Sequence, residues 1–293
     1  MQKNKFKSLI HFHFIVFIFG FTAILGSLIS IDSLELVWYR MTIASIVLLL
    51  YAVVFKKEIK VPKALILKLL ISGMIIALHW VTFFKAIKVS NVSITLSVLS
   101  LGAFLTSFLE PLFYGRKIIL YEIIFGLIVV IGMSLIFNSQ YHYLEGIIYA
   151  LISVLLSVFF GLINGKLIKE ASSLAISIYE LLGGVLLISI LLLLFSDSID
   201  NEFFNISKID FYWILILAIV CTAYAFVISV DVLKHLSPYS LMISINMEPV
   251  YGIILAIIFL DESSDLSFNF YLGFILIFSS VILNGVFKLK NKK

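Results

Sequence analysis

The segment 238–260 carries polar residues at a depth where an anchoring helix has no need of them. It is long enough to cross a bilayer, and Asn246, Glu248 and Pro249 lie near its middle. A carboxylate at this depth costs about 2.5–3.5 kcal/mol on translocon-insertion scales, and a proline removes a backbone hydrogen-bond donor. The residues form either a packed kink with a paired or protonated glutamate, or part of a bent helix that lines a polar cavity. We favour the cavity.

Arg40 and Glu180 are suited to pairing with charged groups in an apolar environment. Each lies early in an apolar segment, at corresponding places in the two halves of the chain. An arginine binds a carboxylate through two parallel hydrogen bonds. Arg40 therefore pairs with Glu180 or with the carboxylate of a bound solute, unless its long side chain extends to the membrane surface. The adjacent Tyr39 and Tyr179 are further cavity candidates, with the aromatic belt of the membrane interface as the alternative.

His79 and Trp80 lie deep in another apolar segment, 64–84. Histidine titrates near neutral pH, so His79 is a candidate for carrying a proton, with a hydrogen-bonded packing role as the alternative. Trp80 is a candidate wall of the same cavity, with simple packing as the alternative. We place both residues among the candidate cavity residues.

Glu110 and Glu248 are the candidate carboxylates for binding a proton, because a medium of low dielectric disfavours the charged form of a carboxyl group. A proline follows each of them, at Pro111 and Pro249. A proline inside a helix clashes with the carbonyl four residues earlier, so we expect a helix kink at both places. Glu248 lies deeper in its segment than Glu110 and is the stronger candidate.

Signatures of enzymes and of metal sites are absent from the sequence. The chain lacks His-Glu-x-x-His, Gly-x-Ser-x-Gly and a phosphate-binding loop. Its single cysteine, Cys221, excludes an intramolecular disulfide and a cysteine-based metal cluster. We therefore expect no cofactor, no metal, no enzymatic activity and no ATP-driven step. The lysines after the last apolar segment are expected to anchor the topology, and they predict no binding of nucleic acid.

The composition identifies the class of protein that holds these residues. Of 293 residues, 62% are hydrophobic and 13% are charged, with a mean hydropathy of +1.17, whereas soluble domains are about 45–50% apolar and about 25% charged. Ten continuous apolar runs of bilayer length predict an all-α integral membrane protein, because the strands of a membrane barrel would alternate apolar and polar residues. These runs are 9–29, 34–55, 64–84, 91–114, 118–137, 144–164, 174–195, 211–233, 238–260 and 269–287.

The distribution of lysine and arginine between the connections predicts the orientation. Both chain ends and the connections on the side of the N-terminus carry most of the cations, whereas the other side carries only Lys85, Lys88 and Lys208. Cytoplasmic connections are enriched in lysine and arginine. We therefore expect a multi-pass protein of the cytoplasmic (inner) membrane with both termini in the cytoplasm.

The chain repeats itself with a period of half its length. Trp38-Tyr39-Arg40 lies over Ile178-Tyr179-Glu180 at an offset of 140, and Tyr114-Gly115-Arg116 lies over Leu260-Asp261-Glu262 at an offset of 146. Each half holds five predicted helices, and an odd number of crossings places the second copy upside down. The predicted domains are the five-helix repeat 1–140 and the inverted five-helix repeat 141–293.

Several motifs of the chain resemble the EamA family of the drug/metabolite transporter superfamily. Ser237-Pro238, Glu248-Pro249 and Leu260-Asp261-Glu262 are similar to the family's penultimate helix. Phe-Gly-Phe-Thr at 19–22 and Trp-Tyr-Arg at 38–40 look like its first two helices. With the helix count and the repeat, the resemblance covers about 10–287.

Two departures from the family pattern lie in the first half. Ser100-Leu101-Gly102-Ala103 stands opposite the Asn-Met-Glu-Pro of 246–249, and Glu110-Pro111 follows more than two turns later. Gly115-Arg116 stands where members often have Gly-Glu. We therefore expect the two halves to bend differently.

The resemblance and the inverted repeat imply a secondary active transporter, an exporter of amino acids or similar small metabolites that works by alternating access around a midplane site. A nucleotide-sugar or lipid-linked metabolite carrier of the same architecture is the alternative within transport. An intramembrane lipid-modifying enzyme, with Glu110, Glu248 and His79 as acid–base groups, and a membrane scaffold or receptor are the alternatives outside it. The expected partners are a small-molecule substrate and the lipid bilayer. Coupling to protons, the substrate's identity and the oligomeric state, monomer or homo-oligomer, stay open.

Overall fold

The computed structural model describes residues 2–195, 203 and 205–290. This part of the chain is helical throughout, with short connections and no β-strand. Its α-helices are α1 (Gln2–Leu28), α2 (Ser33–Val54), α3 (Lys63–Val89), α4 (Val92–Leu99), α5 (Gly102–Tyr114), α6 (Leu120–Ser139), α7 (Leu144–Leu167), α8 (Ser173–Phe195), α9 (Lys208–Ala218), α10 (Ala225–Asp231), α11 (Pro238–Ile245), α12 (Glu248–Leu260) and α13 (Phe268–Lys290).

Nine helical segments among the described residues are long and apolar enough to cross a membrane. Three of them each join two α-helices: α4 with α5, α9 with α10 through the π-helical turn Ile219–Tyr224, and α11 with α12. The described apolar part of α13, Phe268–Ser280, is shorter than a full span. The prediction of an all-helical, multi-pass membrane protein is confirmed, whereas the count of ten spans stays a prediction.

Because the spanning helices alternate in direction, their connections fall on two sides. We call one the basic side; it holds the connections 55–62, 115–119, 168–172 and 235–237. The opposite side holds 29–32, 90–91, 140–143 and 261–267.

Two of the spans are interrupted at the middle of their length. The first break lies at Ser100 and Leu101, and the second at Asn246 and Met247. At each break one amide donates to the carbonyl three residues earlier instead of four. Leu101 N donates to Val98 O at 3.1 Å, and Met247 N donates to Ser244 O at 3.1 Å. The breaks face each other, since Asn246 Nδ2 donates to Ser100 O at 3.0 Å.

The two prolines lie differently relative to these breaks, and the expected kink at Pro111 stays a prediction. Pro249 lies in the first turn of α12, where its missing amide hydrogen costs nothing because that group has no partner inside the helix. Pro111 lies inside α5, far from the break that starts this helix. The first half therefore breaks without a proline, and it does so at the position that corresponds to the second break at the offset of 146. The two halves interrupt their helices alike at the midplane, which the sequence departures had not suggested.

Each interrupted span also begins and ends like the other. Asn91 Oδ1 accepts from Ile94 N at 2.8 Å at the start of α4, and Ser237 Oγ accepts from Ser240 N at 3.2 Å at the start of α11. Both spans end in the left-handed conformation, at Gly115 with φ +67° and at Asp261 with φ +54°.

A carboxylate from the other half strengthens each of these starts. Glu262, just after α12, accepts from Val92 N and Ser93 N at 2.9 Å each, at the N-terminus of α4. Glu110, in α5, accepts from Tyr239 N at 2.7 Å, at the N-terminus of α11. A negative charge at a helix N-terminus accepts hydrogen bonds from the unpaired amides and interacts favourably with the positive end of the helix dipole. The two halves are thus fastened to each other at both sides of the membrane.

Contacts between the halves come in matching pairs. Helix α1 packs on α12 as α7 packs on α4, and α3 packs on α7 and α8 as α9 and α10 pack on α1 and α2. Small residues allow the closest approaches, as in other membrane helices. A side chain on Gly20 would place its Cβ 2.9 Å from Gly252 N, so α1 and α12 touch through their backbones.

Candidate functional site

A cavity lies between α1, α2 and α3 of the first half and α7, α10, α11 and α12 of the second half, at the level of the two breaks. Its empty space amounts to about 920 Å³, counting the part that opens to solvent. Its wall is mainly apolar and includes five aromatic side chains, those of Phe19, Trp80, Phe83, Phe160 and Phe226. The described lining residues with ionisable side chains are Arg40, His79, Cys221 and Glu248. Leu233 and Leu241 also line it, so the cavity reaches the helix ends of the basic side.

Arg40 enters the cavity wall from α2 and is 2% exposed. Its Nε donates to Thr222 Oγ1 and its Nη2 donates to Cys221 O at 3.3 Å. Its guanidinium carbon lies 4.0 Å from the centre of the Trp80 ring, in a cation–π arrangement. Among the described residues, Nη1 is buried without a hydrogen-bond partner. Arg40 is thus held in the membrane interior, and one of its donor groups is left for a ligand.

The partners of Arg40 come from the π-helical turn Ile219–Tyr224. Thr222 Oγ1 donates to Leu217 O at 2.7 Å, five residues back, as the wider turn allows. Such turns within α-helices are frequent at functional sites. The hydroxyl of Thr222 therefore accepts from Arg40 while donating to its own helix, which fixes the guanidinium in place.

Glu248 is the first residue of α12 and lines the same cavity. It is 8% exposed, and its charge interacts with that of Arg40. Within the described part of the chain, its carboxyl group makes no hydrogen bond and no ion pair within 4.0 Å. Arg40 and Glu248 thus present a guanidinium and a carboxyl group to one cavity without closing a direct salt bridge.

His79 and Trp80 both line the cavity, as expected from the sequence. His79 Nδ1 lies 2.9 Å from Ser153 O and 2.8 Å from Ser153 Oγ, so α7 fixes the imidazole ring. The Trp80 ring lies between Arg40 and Phe226, whose ring centre is 5.5 Å from its own. The histidine is oriented by the protein, and the tryptophan supports the arginine.

Glu180 lies outside the cavity and does not pair with Arg40. Its Oε1 accepts from Ser72 Oγ at 2.6 Å and from Asn164 Nδ2 at 2.7 Å, at the junction of α3, α7 and α8. Its Oε2 is buried and has no partner among the described residues. Glu180 lies next to the cavity, because its partner Asn164 is one turn of α7 away from the lining residue Phe160.

Three other candidates take structural positions away from the lining of this cavity. Tyr39 donates from its hydroxyl to Phe203 O at 2.8 Å and stacks on that ring. Tyr179 is half-buried and packs against the apolar core. Asn246 bridges the two breaks.

Glu110 is engaged by polar partners on the basic side. Besides Tyr239 N, its carboxylate contacts Arg116 Nε at 3.2 Å, and Arg116 also contacts Glu122 at 2.9 Å. A carboxylate with a cation and an amide on it suits a helix cap. Arg116, the residue that departs from the family pattern, thus holds the carboxylate that caps α11.

Sequence reasoning missed the hydroxyl and amide partners of the charged residues. Thr222, Ser153, Ser72 and Asn164 are single polar residues within apolar runs. That isolation was the available signal, because a polar group in the membrane needs a partner. Their pairing with Arg40, His79 and Glu180 depends on helix packing, which the sequence does not display. Within the described residues, no group of three acidic, histidine or cysteine side chains could hold a metal ion.

Comparison with known proteins agrees with this architecture. An uncharacterized transporter of Bacillus subtilis (strain 168), YxxF, is 26% identical over 295 residues, covering 97% of this chain and 91% of that protein. A solved crystal structure superposes with a TM-score of 0.72 over 98% of this chain and 99% of its own, at 14% identity, which shows a shared fold.

A family comparison confirms the expected resemblance. The model of the EamA-like transporter family matches the chain twice, over residues 7–138 and 144–286. These two matches cover nearly the whole chain and divide it near its middle. Together with the apolar spanning helices and the charged midplane cavity, they show that the chain belongs to the EamA-like transporter family and is a multi-pass membrane transporter.

Proposed function

We propose that the protein transports a small amphipathic zwitterion, an amino acid or a close relative, that binds between Arg40 and Glu248. The single observation that carries this proposal is the pair of opposite charges in one cavity, without a salt bridge between them. A carboxylate of the substrate completes the hydrogen bonding of Arg40 at Nη1, and its ammonium group takes Glu248. Both charges of the substrate are thereby paired inside the membrane.

The rest of the cavity favours an apolar substituent. Its wall consists mainly of aliphatic and aromatic side chains, with a few hydroxyl groups such as those of Thr22, Ser157 and Ser229. Burial of an apolar side chain against this wall is favourable by about 25 cal/mol per Å² of apolar surface removed from water. The charges therefore orient the substrate, and the apolar wall adds affinity.

The alternative carriers fit this cavity less well. Arg40 is the one lysine or arginine among the lining residues, whereas the diphosphate of a nucleotide sugar or a lipid-linked metabolite carries at least two negative charges. An intramembrane lipid-modifying enzyme would need an activated nucleophile or a bound metal. A scaffold or receptor has no need of opposed charges in a membrane cavity. A zwitterion matches one cation and one carboxylate.

Two inverted five-helix repeats, 1–140 and 141–293, account for how such a site can face either side of the membrane. The matched breaks, the matched caps and the paired helix contacts support this relation, as does the double family match. The site lies between the halves, where rocking of one repeat against the other alternates access. Contacts such as Asp210 Oδ1 with Ser30 N at 2.8 Å join the halves on the opposite side and must open in the other state.

The charge of the connections supports the proposed orientation, and the side to which the cavity opens supports the proposed direction. With the basic side in the cytoplasm, both termini lie there and the cavity reaches toward the cytoplasm, as loading of an exporter in the cytoplasmic membrane requires. Export then moves the substrate outward when the halves rock. We propose that protons are the coupling ion, moving in the direction opposite to the substrate.

A screen on proteoliposomes tests the proposed function. Purified protein is reconstituted, and uptake of radiolabelled amino acids, nucleotide sugars and lipid-linked sugars is measured with and without a pH gradient. We expect saturable transport of apolar amino acids that an Arg40→Ala variant loses. Transport of nucleotide sugars without transport of amino acids would contradict the proposal.

A further inference from the structure

One carboxyl group in the membrane interior has no cation beside it among the described residues. Glu180 is fully buried, and its Oε2 lacks a hydrogen-bond partner among the described residues. The same junction holds two further buried polar atoms without a partner, Asn164 Oδ1 and Ser177 Oγ. An ionised carboxylate left unpaired in such a place costs several kcal/mol, so this arrangement suits the neutral acid.

The charged and titratable groups on the surrounding helices are engaged elsewhere or lie at helix ends. The engaged groups and their partners are Arg40 of α2 with Thr222, His79 of α3 with Ser153, Lys68 of α3 with Glu170, Lys166 of α7 over Phe113, and Asp231 of α10 with Ser173 and Lys234. The groups at helix ends are Glu35, Lys63, Lys85, Lys88 and Glu145. Nothing in this part of the chain supplies a positive charge to Glu180.

The other carboxyl groups of the interior already have a task. Glu248 faces Arg40 across the cavity, and Glu110 pairs with Arg116 while capping α11. Each of these two carboxyl groups has an arginine near it. Of the three, Glu180 is the one with no cation near it in the described part of the chain.

Glu180 also occupies a position that the two-fold relation makes equivalent to that of Arg40. Both follow a tyrosine early in the second helix of their repeat, at the offset of 140. In the state observed, Arg40 lines the cavity. Glu180 lies outside it, bonded to Asn164, which follows the lining residue Phe160 by one turn of α7. If the two repeats exchange conformations, the cavity opens to the opposite side and reaches the place of Glu180.

We propose that Glu180, held by Ser72 and Asn164, must bind a proton before the transporter returns to the state whose cavity reaches the basic side. This inference rests on the proposed function and names a proton-sensitive step in its cycle. In the state whose cavity reaches the basic side, Glu180 is closed off as a neutral acid. In the other state the carboxyl group meets the cavity and exchanges its proton with water there. The proton is taken up at Oε2 and returned to water on the same side, so this group sets the pH dependence of the return step and carries no proton across the membrane.

Infrared difference spectroscopy on the full-length protein in lipid tests the proton site without any substrate. As the pH is stepped, wild type is expected to show the C=O stretch of a protonated carboxylic acid. Glu180→Gln removes this band, whereas Glu248→Gln, the matched control in the cavity, keeps it. Asn164→Ala shifts its frequency, since Oε1 loses a hydrogen bond, and so assigns the band even if Glu180→Gln folds poorly. A wild-type spectrum that Glu180→Gln leaves unchanged would overturn the proposal.

Transport in proteoliposomes tests the proton-sensitive step. The probe is a mixture of radiolabelled apolar amino acids, and the readout is the dependence of the transport rate on the pH at the opposite side. In wild type we expect the rate to fall as this pH rises, and in Glu180→Gln we expect the dependence to disappear, because the amide mimics the neutral acid and keeps the bonds to Ser72 and Asn164. A pH dependence equal to that of wild type would reduce Glu180 to a structural role. Absence of any uptake by wild type would contradict the proposed function, while the infrared band would still decide the proton site.

Discussion

At the scale of single residues, the account depends on charges that the fold holds apart. Arg40 is fixed by Thr222, by a carbonyl and by the Trp80 ring, so it cannot swing across to Glu248. A planar guanidinium can satisfy these contacts and still offer a donor pair to a ligand. A buried ion pair that closed on itself would leave nothing for a substrate to bind.

Replacement of Arg40 tests this use of its geometry. Arg40→Lys keeps the charge but loses the planar fork, so we expect it to weaken transport almost as much as Arg40→Ala. A charge-assisted hydrogen bond is worth about 1.5–3 kcal/mol, which corresponds to about 10- to 100-fold in affinity. Initial rates in proteoliposomes measure the effect, with Lys85→Ala as the control because Lys85 pairs with Asp32 on the opposite side. Normal transport by Arg40→Ala would reduce the arginine to a packing residue.

At the scale of helices, the interrupted spans explain how polar groups reach the midplane. The breaks expose Ser100 O to Asn246 and place Glu248 at the start of a half-helix. Their outer ends are held by carboxylates from the other half of the chain. A half-helix fastened at its end can tilt as a unit, which the proposed rocking of the two halves requires.

The cap at Glu262 gives a prediction about stability. Glu262→Ala leaves two amides of α4 without their acceptor, and we expect a loss of about 0.5–2 kcal/mol, the usual cost of a lost helix cap. Glu262→Gln keeps one acceptor oxygen and is expected to lie between alanine and wild type. Thermal melting in detergent measures both. Glu145→Ala is the control, because Glu145 lies exposed in the first turn of α7; equal melting of Glu262→Ala and wild type would contradict the capping role.

The contact between α3 and α8 gives a second prediction at this scale. A Cβ at Gly73 would lie 1.9 Å from Glu180 O, whereas one at Gly161 would meet only Leu241 Cδ2 at 4.0 Å. We expect Gly73→Ala to destabilise the protein by about 1–3 kcal/mol through overpacking. Gly161→Ala has room and gains helix propensity, by up to about 1 kcal/mol. The reverse order of their melting temperatures would contradict the close packing of these helices.

At the scale of the whole molecule, much of the architecture could be predicted from apolar periodicity and charge. The apolar runs gave the helical membrane class, and the offset that aligned Arg40 with Glu180 also related the two breaks. The break at Ser100 could not be foreseen, because it has no proline and depends on its contact with Asn246. The binding of Arg40 to Thr222 was equally hidden, since a π-helical turn leaves no simple sequence pattern. Motifs located the charged residues, and packing decided which of them share a cavity.

Labelling of introduced cysteines tests the orientation of the molecule. In a Cys221→Ser background, Tyr141→Cys lies exposed on the opposite side and Glu58→Cys lies exposed on the basic side. We expect an impermeant thiol reagent added to intact cells to label the cysteine at 141, and to label the one at 58 only after lysis. The reverse pattern would place the basic side outside and contradict the proposed direction of loading.

The most direct test of the account is a comparison of three related ligands on three proteins. Competition for transport is measured with L-leucine, leucinamide, which lacks the carboxylate, and N-acetylleucine, which lacks the ammonium group. Wild type is expected to prefer L-leucine over both by about 10-fold or more, the worth of one charge-assisted hydrogen bond. Arg40→Ala should lose the preference over leucinamide alone, and Glu248→Gln the preference over N-acetylleucine alone. If both substitutions weakened all three ligands equally, the opposite charges would not be the substrate site.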